Sequence, residues 1–160
     1  MDKIGVAVCG NSGIDYLVHD KEIRKFRSLL NIAKEEYEDF VEISSDDFYS
    51  RLEKNPDLDI STAQTSTGKI LEMYEEMKAA GYNKLLVITI SKELSGTYQN
   101  AVLAAKMIDI DVHVYDSLSL VGAPAVTKYF FKTIYCTSVA ARSCTHAVAY
   151  ATACVQLRAH

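Results

Sequence analysis

A chain of 160 residues, 49% hydrophobic and 24% charged, has enough apolar material for one domain with a buried core and too little length for two of ordinary size. A net charge of −4 gives no basic surface for nucleic acid. No run of about 18 apolar residues and no basic, apolar and small-residue leader pattern occurs, so the expected compartment is the cytoplasm, with no membrane span. Cys9, Cys136, Cys144 and Cys154 lack CxxC spacing and zinc-finger histidines, so they read as buried small hydrophobes or free thiols, with no metal and no cofactor expected.

In chain order, Lys3 to Cys9 (KIGVAVC) is a short β-rich apolar run that predicts a buried first strand, and the Gly-Asn-Ser-Gly cluster after it predicts a ligand-side loop. From Ile23 to Phe40 the residues alternate in part with period two, Ile23, Lys25 and Arg27 against Arg24, Phe26 and Ser28, although a helix competes locally. Ser44-Ser45-Asp46-Asp47 supplies an N-cap and first-turn carboxylates for a helix expected to bury Phe48, Tyr49 and Leu52, and Lys54-Asn55-Pro56 ends it. Ser66 caps the clearest helix of the chain, whose Ile70, Leu71, Tyr74 and Met77 share one face until Gly81 closes it.

Leu85 to Ile90 is a continuous apolar run of strand length, and Asp111 to Tyr115 is a further strand. Between them, a helix over Ser95 to Met107 is expected to carry Tyr98, Val102 and Ala105 on one face. Alternating strands and helices imply an α/β fold with a mostly parallel sheet and helices on both faces, and ligands of such sheets lie beyond the carboxyl ends of the strands. The loops bearing Ser12, Thr62 and Ser95 are expected at that edge, converging on one cleft.

The stretch SKELSGTYQNA, Ser91 to Ala101, places hydroxyls and free backbone amides at one strand-to-helix junction. About four amides at a helix N-terminus lack intrahelical partners and the end carries roughly half a positive charge, so a carboxylate or phosphate is stabilised there. Gly96 lets a ligand approach the backbone. Taken alone, Thr62, Ser66 and Ser95 read more readily as loop and capping residues than as ligand-binding ones.

Leu94 to Ala101 (LSGTYQNA) resembles the LSGTYQSA signature of the DegV family of bacterial fatty-acid-binding proteins. Thr62 to Ser66 (TAQTS) is similar to that family's TSQPS segment, and Tyr115-Asp116-Ser117 to its V(I/Y)DS strand end, in the same order and spacing. The resemblance favours a strand and hairpin over 23–40, since Tyr37-Glu38-Asp39 is similar to the family's Tyr-x-Asp element after its hairpin. It also implies that Thr62, Ser95 and a backbone amide near Gly96 hold the carboxylate of a long-chain fatty acid, with Ser12 and Asp116 at the cleft edge and Ser66 left as a cap. Two departures stand out. If Asp15 is the second Asp of the family's DSxxDL pattern, Asn11-Ser12 replaces Asp-Ser, and Ala63 replaces the Ser that follows Thr.

The similarity runs from about Lys3 to about Pro124, giving a DegV-like α/β domain over 1–124 and a divergent tail over 125–160, helical or irregular, with the family's second domain absent. All 21 Asp and Glu precede residue 117, whereas the following residues hold four basic side chains, three of the four Cys and no acid. That abrupt change suggests a shifted reading frame or a recombined gene end, a genuine extension being the milder alternative.

Nothing in the chain assembles a catalytic centre. GxSxG, GxxxxGK[ST] and HExxH are absent, and His19, His113, His146 and His160 lack the context of a base, His113 reading as a structural histidine in a strand. The reading that follows is a non-enzymatic protein that presents a bound fatty acid to a separate fatty acid kinase. The alternatives are a phosphate-binding α/β enzyme or kinase subunit using the same helix start, and a truncated or frame-shifted fragment without function.

Overall fold

The computed structural model describes residues 3–16 and 21–118. The expectations for 125–160, and for Cys136, Cys144 and Cys154, lie outside these residues.

Strand β1 (Ile4–Cys9) and strand β6 (Lys84–Thr89) pair in parallel at the centre of a four-stranded sheet. Strand β2 (Arg24–Phe26) flanks β1 and strand β7 (Asp111–Asp116) flanks β6, giving the order β2-β1-β6-β7 with every pairing parallel. The uninterrupted apolar runs seen in the sequence are the central strands: Ala7, Cys9, Leu85 and Val87 on one face and Val6, Val8, Leu86 and Ile88 on the other are all buried. Burial of both faces is why these strands do not alternate.

A second sheet is antiparallel, with β3 (Leu29–Ile32) between β4 (Glu35–Glu38) and β5 (Ile60–Ala63). The period-two stretch is therefore a strand and a hairpin, and its tight turn is built from Ala33 (φ 50°) and Lys34 (φ 76°). Two successive left-handed residues match the twist of a two-residue hairpin, here without the glycine or asparagine that eases it.

Helix α1 (Ser45–Lys54) starts where expected, with Ser44 Oγ accepting from the Asp47 amide at 3.1 Å, and ends at Asn55. It does not bury its aromatic residues. Phe48 and Leu52, four apart, are half-buried, whereas Tyr49 is 62% exposed. A residue one step along a helix turns by about 100°, so Tyr49 leaves the stripe that Phe48 and Leu52 share.

Helix α2 (Thr67–Ala79) is the core helix, with Ile70, Tyr74 and Met77 fully buried and Leu71 packed at the margin. Ser66 Oγ caps the Lys69 amide at 3.3 Å. The far end closes as a Schellman turn: Gly81 N–H donates to Lys78 O at 2.9 Å and Tyr82 N–H to Met77 O at 3.2 Å, with Gly81 at φ 86°. Lys3 Nζ donates to Ala80 O at 2.9 Å, a cation at the negative helix end.

Helix α3 (Thr97–Ala105) packs on α2 and on the sheet. Its buried face is Thr97, Ala101 and Ala104, one residue out of phase with the expected Tyr98, Val102 and Ala105, which are only half-buried. The small side chains face inward because α2 lies close enough for Tyr74 Oη to donate to Ala101 O at 3.3 Å. Full burial of each large side chain in this core stabilises by about 2 kcal/mol, and Tyr74 also satisfies its hydroxyl there.

Candidate functional site

From β1 the chain passes to β2 on one side of the sheet, and from β6 to β7 on the other. The order therefore reverses between β1 and β6, the switch point beyond whose carboxyl ends parallel sheets bind their ligands. Two of the expected site segments leave from this point: the 3₁₀ turn Gly10–Ser12 after β1, and the loop from Ile90 to Gly96 after β6.

In the second segment the backbone folds back on Ser91, whose carbonyl accepts from Leu94 N–H at 3.0 Å and Ser95 N–H at 3.2 Å. Half-buried Ser95 then serves α3: its Oγ accepts from Thr97 N–H at 3.2 Å and lies 2.9 Å from Thr97 Oγ1. Gly96, the N-cap residue, offers no side-chain cap, so the amides following Thr97 are left to other acceptors. Either hydroxyl can donate across that contact, and when Thr97 Oγ1 does so the Ser95 proton is free to point at an anion.

Thr62 is placed differently from the loop position expected for it. It lies on β5, in register with Leu30, with an exposed side chain. The short run Ile60 to Ala63 forms a strand because β3 offers a free edge, a long-range fact that no local pattern carries. The Thr62 segment reaches α3 through the residues that follow it. Gln64 packs against Gly96, and Asn100 Nδ2 donates to Thr65 O at 2.9 Å.

Ser12 is fully buried, and its Oγ accepts from Ile14 N–H at 3.4 Å, so it closes its own turn. Asp116 ends β7, where Oδ1 accepts from Leu118 N–H at 2.9 Å and from Lys92 N–H at 3.4 Å. That pair of bonds ties the β6–α3 loop to the end of β7. Its other oxygen, Oδ2, is buried without a hydrogen bond among the described residues, with Lys92 Nζ 4.0 Å away.

An ion cluster at the carboxyl end of β1 and β2 was not singled out from the sequence. Arg27 Nη1 and Nη2 donate to Asp15 Oδ2 and Oδ1 at 2.5 and 2.7 Å, and Lys25 Nζ donates to Asp15 Oδ1 at 2.8 Å. The Arg27 bonds hold the Asp15 carboxyl down at about 2, against the opposing effect of burial and with Lys25 adding to the lowering. Nearby, burial raises the Asp39 carboxyl, opposed by Arg27. The legible signal was the alternation that put Lys25, on β2, and Arg27, just after it, on one side; their partner, Asp15, lies ten and twelve residues earlier. The cluster opens onto a groove of about 610 Å³ lined by residues such as Lys25, Arg27, Thr65, Lys69 and Met73, which does not include Ser95.

Cys9 is buried and in no disulfide among the described residues, and His113 stands on β7 but is exposed rather than packed inside. Among the described residues no three His, Cys, Asp or Glu side chains gather as metal ligands, and no helix is long and apolar enough to cross a membrane.

Residues 12–129, about three quarters of the chain, match the family described as "Uncharacterised protein, DegV family". This chain belongs to the DegV family. A DegV domain-containing protein of Halalkalibacterium halodurans is 38% identical over 86 residues, 53% of this chain and 30% of that protein. A fatty acid-binding protein of Thermotoga maritima is 41% identical over 76 residues, 48% of this chain and 26% of the relative. Among solved structures, the stearic acid-binding protein of Eubacterium ventriosum superposes with a TM-score of 0.77 at 17% identity, over 94% of this chain and 52% of that one, which establishes a shared fold. The chain thus spans about half the length of that solved neighbour, and its matches span about a third or less of these two relatives. The DegV match begins at Ser12 and so includes the Asp15 cluster, the Thr62 segment, the Ser95 junction and Asp116.

Proposed function

We propose that this DegV-family chain binds a long-chain fatty acid by its carboxylate, without transforming it, and presents that carboxylate to a fatty acid kinase. Thr62, Ser95 and the backbone at Gly96 are the carboxylate groups in this reading, with Ser12 and Asp116 at the cleft edge. The observation that carries it is the Ser95 junction: a half-buried hydroxyl, supported by Thr97, at a helix start by the switch point of a parallel sheet. Membership of a family that includes a fatty acid-binding protein of Thermotoga maritima supports the choice of ligand.

Hydroxyl bonds to a carboxylate contribute about 2 kcal/mol each, so two of them and a helix end hold a monoanion without a lysine or arginine. The acyl chain adds about 0.8 kcal/mol for each CH₂ it buries, so affinity rises with chain length as far as apolar surface covers it.

Native mass spectrometry of the protein purified from bacterial cells, compared with a Thr62→Val, Ser95→Ala double variant, tests this reading. A fatty acid retained by the wild type and lost from the variant is the expected result. Absence of any adduct after addition of oleate or palmitate overturns it in favour of a fragment without the binding function, and retention of a phosphorylated ligand irrespective of acyl length favours a phosphate site.

A further inference from the structure

We infer that the carboxamide of Gln64 contacts the ligand, completing the carboxylate site of the fatty-acid reading on which this inference rests. Gly96 has an ordinary backbone, φ −72°, so no left-handed turn requires glycine there. The open side of Gly96 is occupied by Gln64. A Cβ at residue 96 would lie 2.6 Å from Gln64 Oε1, 2.7 Å from Nε2 and 3.0 Å from Cδ, so a larger residue there would displace the end of the Gln64 side chain. The oxygen and nitrogen of the carboxamide point towards Gly96, and the space that glycine leaves open is filled by this end of the side chain.

Gln64 is otherwise exposed, and no hydrogen bond to its amide is found among the described residues. A long polar side chain in that position ordinarily samples many rotamers in water. Here it is laid between the two segments that carry Thr62 and Ser95, two residues from one and adjacent to the glycine that follows the other. Its amide nitrogen has two protons to donate and brings no charge. Neutral donors at a helix start suit a monoanionic carboxylate better than a phosphate dianion, which needs more compensating charge. Gln64 therefore sets the class of anion accepted as well as adding a bond to it.

Oleate binding to the full chain, measured by isothermal titration calorimetry, decides the matter with Gln64→Leu, Gln64→Glu and Gln64→Ala beside the Thr62→Val, Ser95→Ala pair. Leucine keeps the bulk over Gly96 and removes the donors, so Kd rises about tenfold. Glutamate replaces the donors by a charge of the ligand's own sign, so Kd rises further at neutral pH. Because residue 64 is exposed, melting temperatures stay within about 2 °C of wild type, which separates lost contact from lost fold. Unchanged affinity in Gln64→Leu overturns the inference, as does tighter binding in Gln64→Ala, which would make the side chain a cover rather than a contact. Loss of oleate from the Thr62, Ser95 pair alongside an unaffected Gln64→Leu sinks only the Gln64 assignment. A wild type that binds no oleate sinks both readings.

Discussion

Asn100 Nδ2, in the first turn of α3, donates to the carbonyl of Thr65, and Thr65 in turn donates its hydroxyl to the carbonyl of Arg27 at 2.6 Å. One residue thus joins the start of α3, the segment after β5 and the end of β2. Thr65 is buried, so its hydroxyl bond is made away from competing water, while the bond from Asn100 is partly buried. Thr65→Val keeps the shape of the side chain and strands the Arg27 carbonyl. The expected loss is about 1 kcal/mol, read from the urea midpoint at unchanged slope.

Thr97 supports Ser95 rather than touching a ligand in the proposed site. Thr97→Val removes the hydroxyl 2.9 Å from Ser95 Oγ but keeps the amide that donates to it. Oleate affinity is expected to fall about threefold, roughly half the free energy of a full hydrogen bond, while Thr97→Ser retains wild-type binding. A Thr97→Val protein with undiminished affinity shows that Ser95 needs no partner.

Acid sensitivity follows from Asp15. Its folded value, about 2, lies below the ordinary 3.8, so ionised Asp15 stabilises the fold. That contribution is complete above about pH 4 and disappears as pH falls towards 2. Asp15→Asn is expected to cost about 3 kcal/mol near neutrality, because the buried Arg27 loses its counter-charge, and to flatten this limb of the stability profile. Urea denaturation between pH 2 and 7 tests both effects, and an equally steep acid limb in the variant excludes Asp15 as its source.

Two glycine-to-alanine changes separate packing from backbone strain. At Gly5 a Cβ would meet Met77 Cε at 2.5 Å and Leu85 Cδ2 at 2.9 Å, so Gly5→Ala overpacks the sheet against α2 and costs about 2 kcal/mol. Adding Met77→Leu, which removes the colliding terminal carbon, recovers part of that loss. At Gly81 nothing lies within 4 Å, but φ is 86°, so Gly81→Ala costs about 1 kcal/mol through the backbone alone and no neighbouring substitution recovers it. Thermal unfolding of the three variants distinguishes the two mechanisms.

The hairpin turn is a place to gain stability. Ala33 and Lys34 both hold positive φ, and Ala33→Asn with Lys34→Gly supplies the residues that such a turn favours. The double variant is expected to be more stable by about 1 kcal/mol in urea, and a loss instead would mean that Ala33 and Lys34 contribute contacts greater than the strain they carry.

Local chemistry was enough to read much of the chain. Ser44 and Ser66 declared the starts of α1 and α2 by their hydroxyls, Gly81 declared the end of α2, and the apolar runs at Lys3 to Cys9 and Leu85 to Ile90 declared central strands. The octapeptide from Leu94 to Ala101 led to the family in the same way, since its hydroxyls and glycine lie next to one another in the chain. Caps, turns and periodicity act within about four residues, so the order of residues suffices to determine them.

Only the tertiary structure decided which residues meet. The closeness of α2 turned α3 onto its alanines, the edge of β3 made a strand of the Thr62 segment, and Asp15 found Arg27 across a turn and a strand. Gly96 is the sharpest case: its sequence context suggested space for a ligand, and its neighbour across the fold is Gln64. Such pairings depend on where separate elements come to rest, and close packing and desolvation fix that position at distances no local pattern spans.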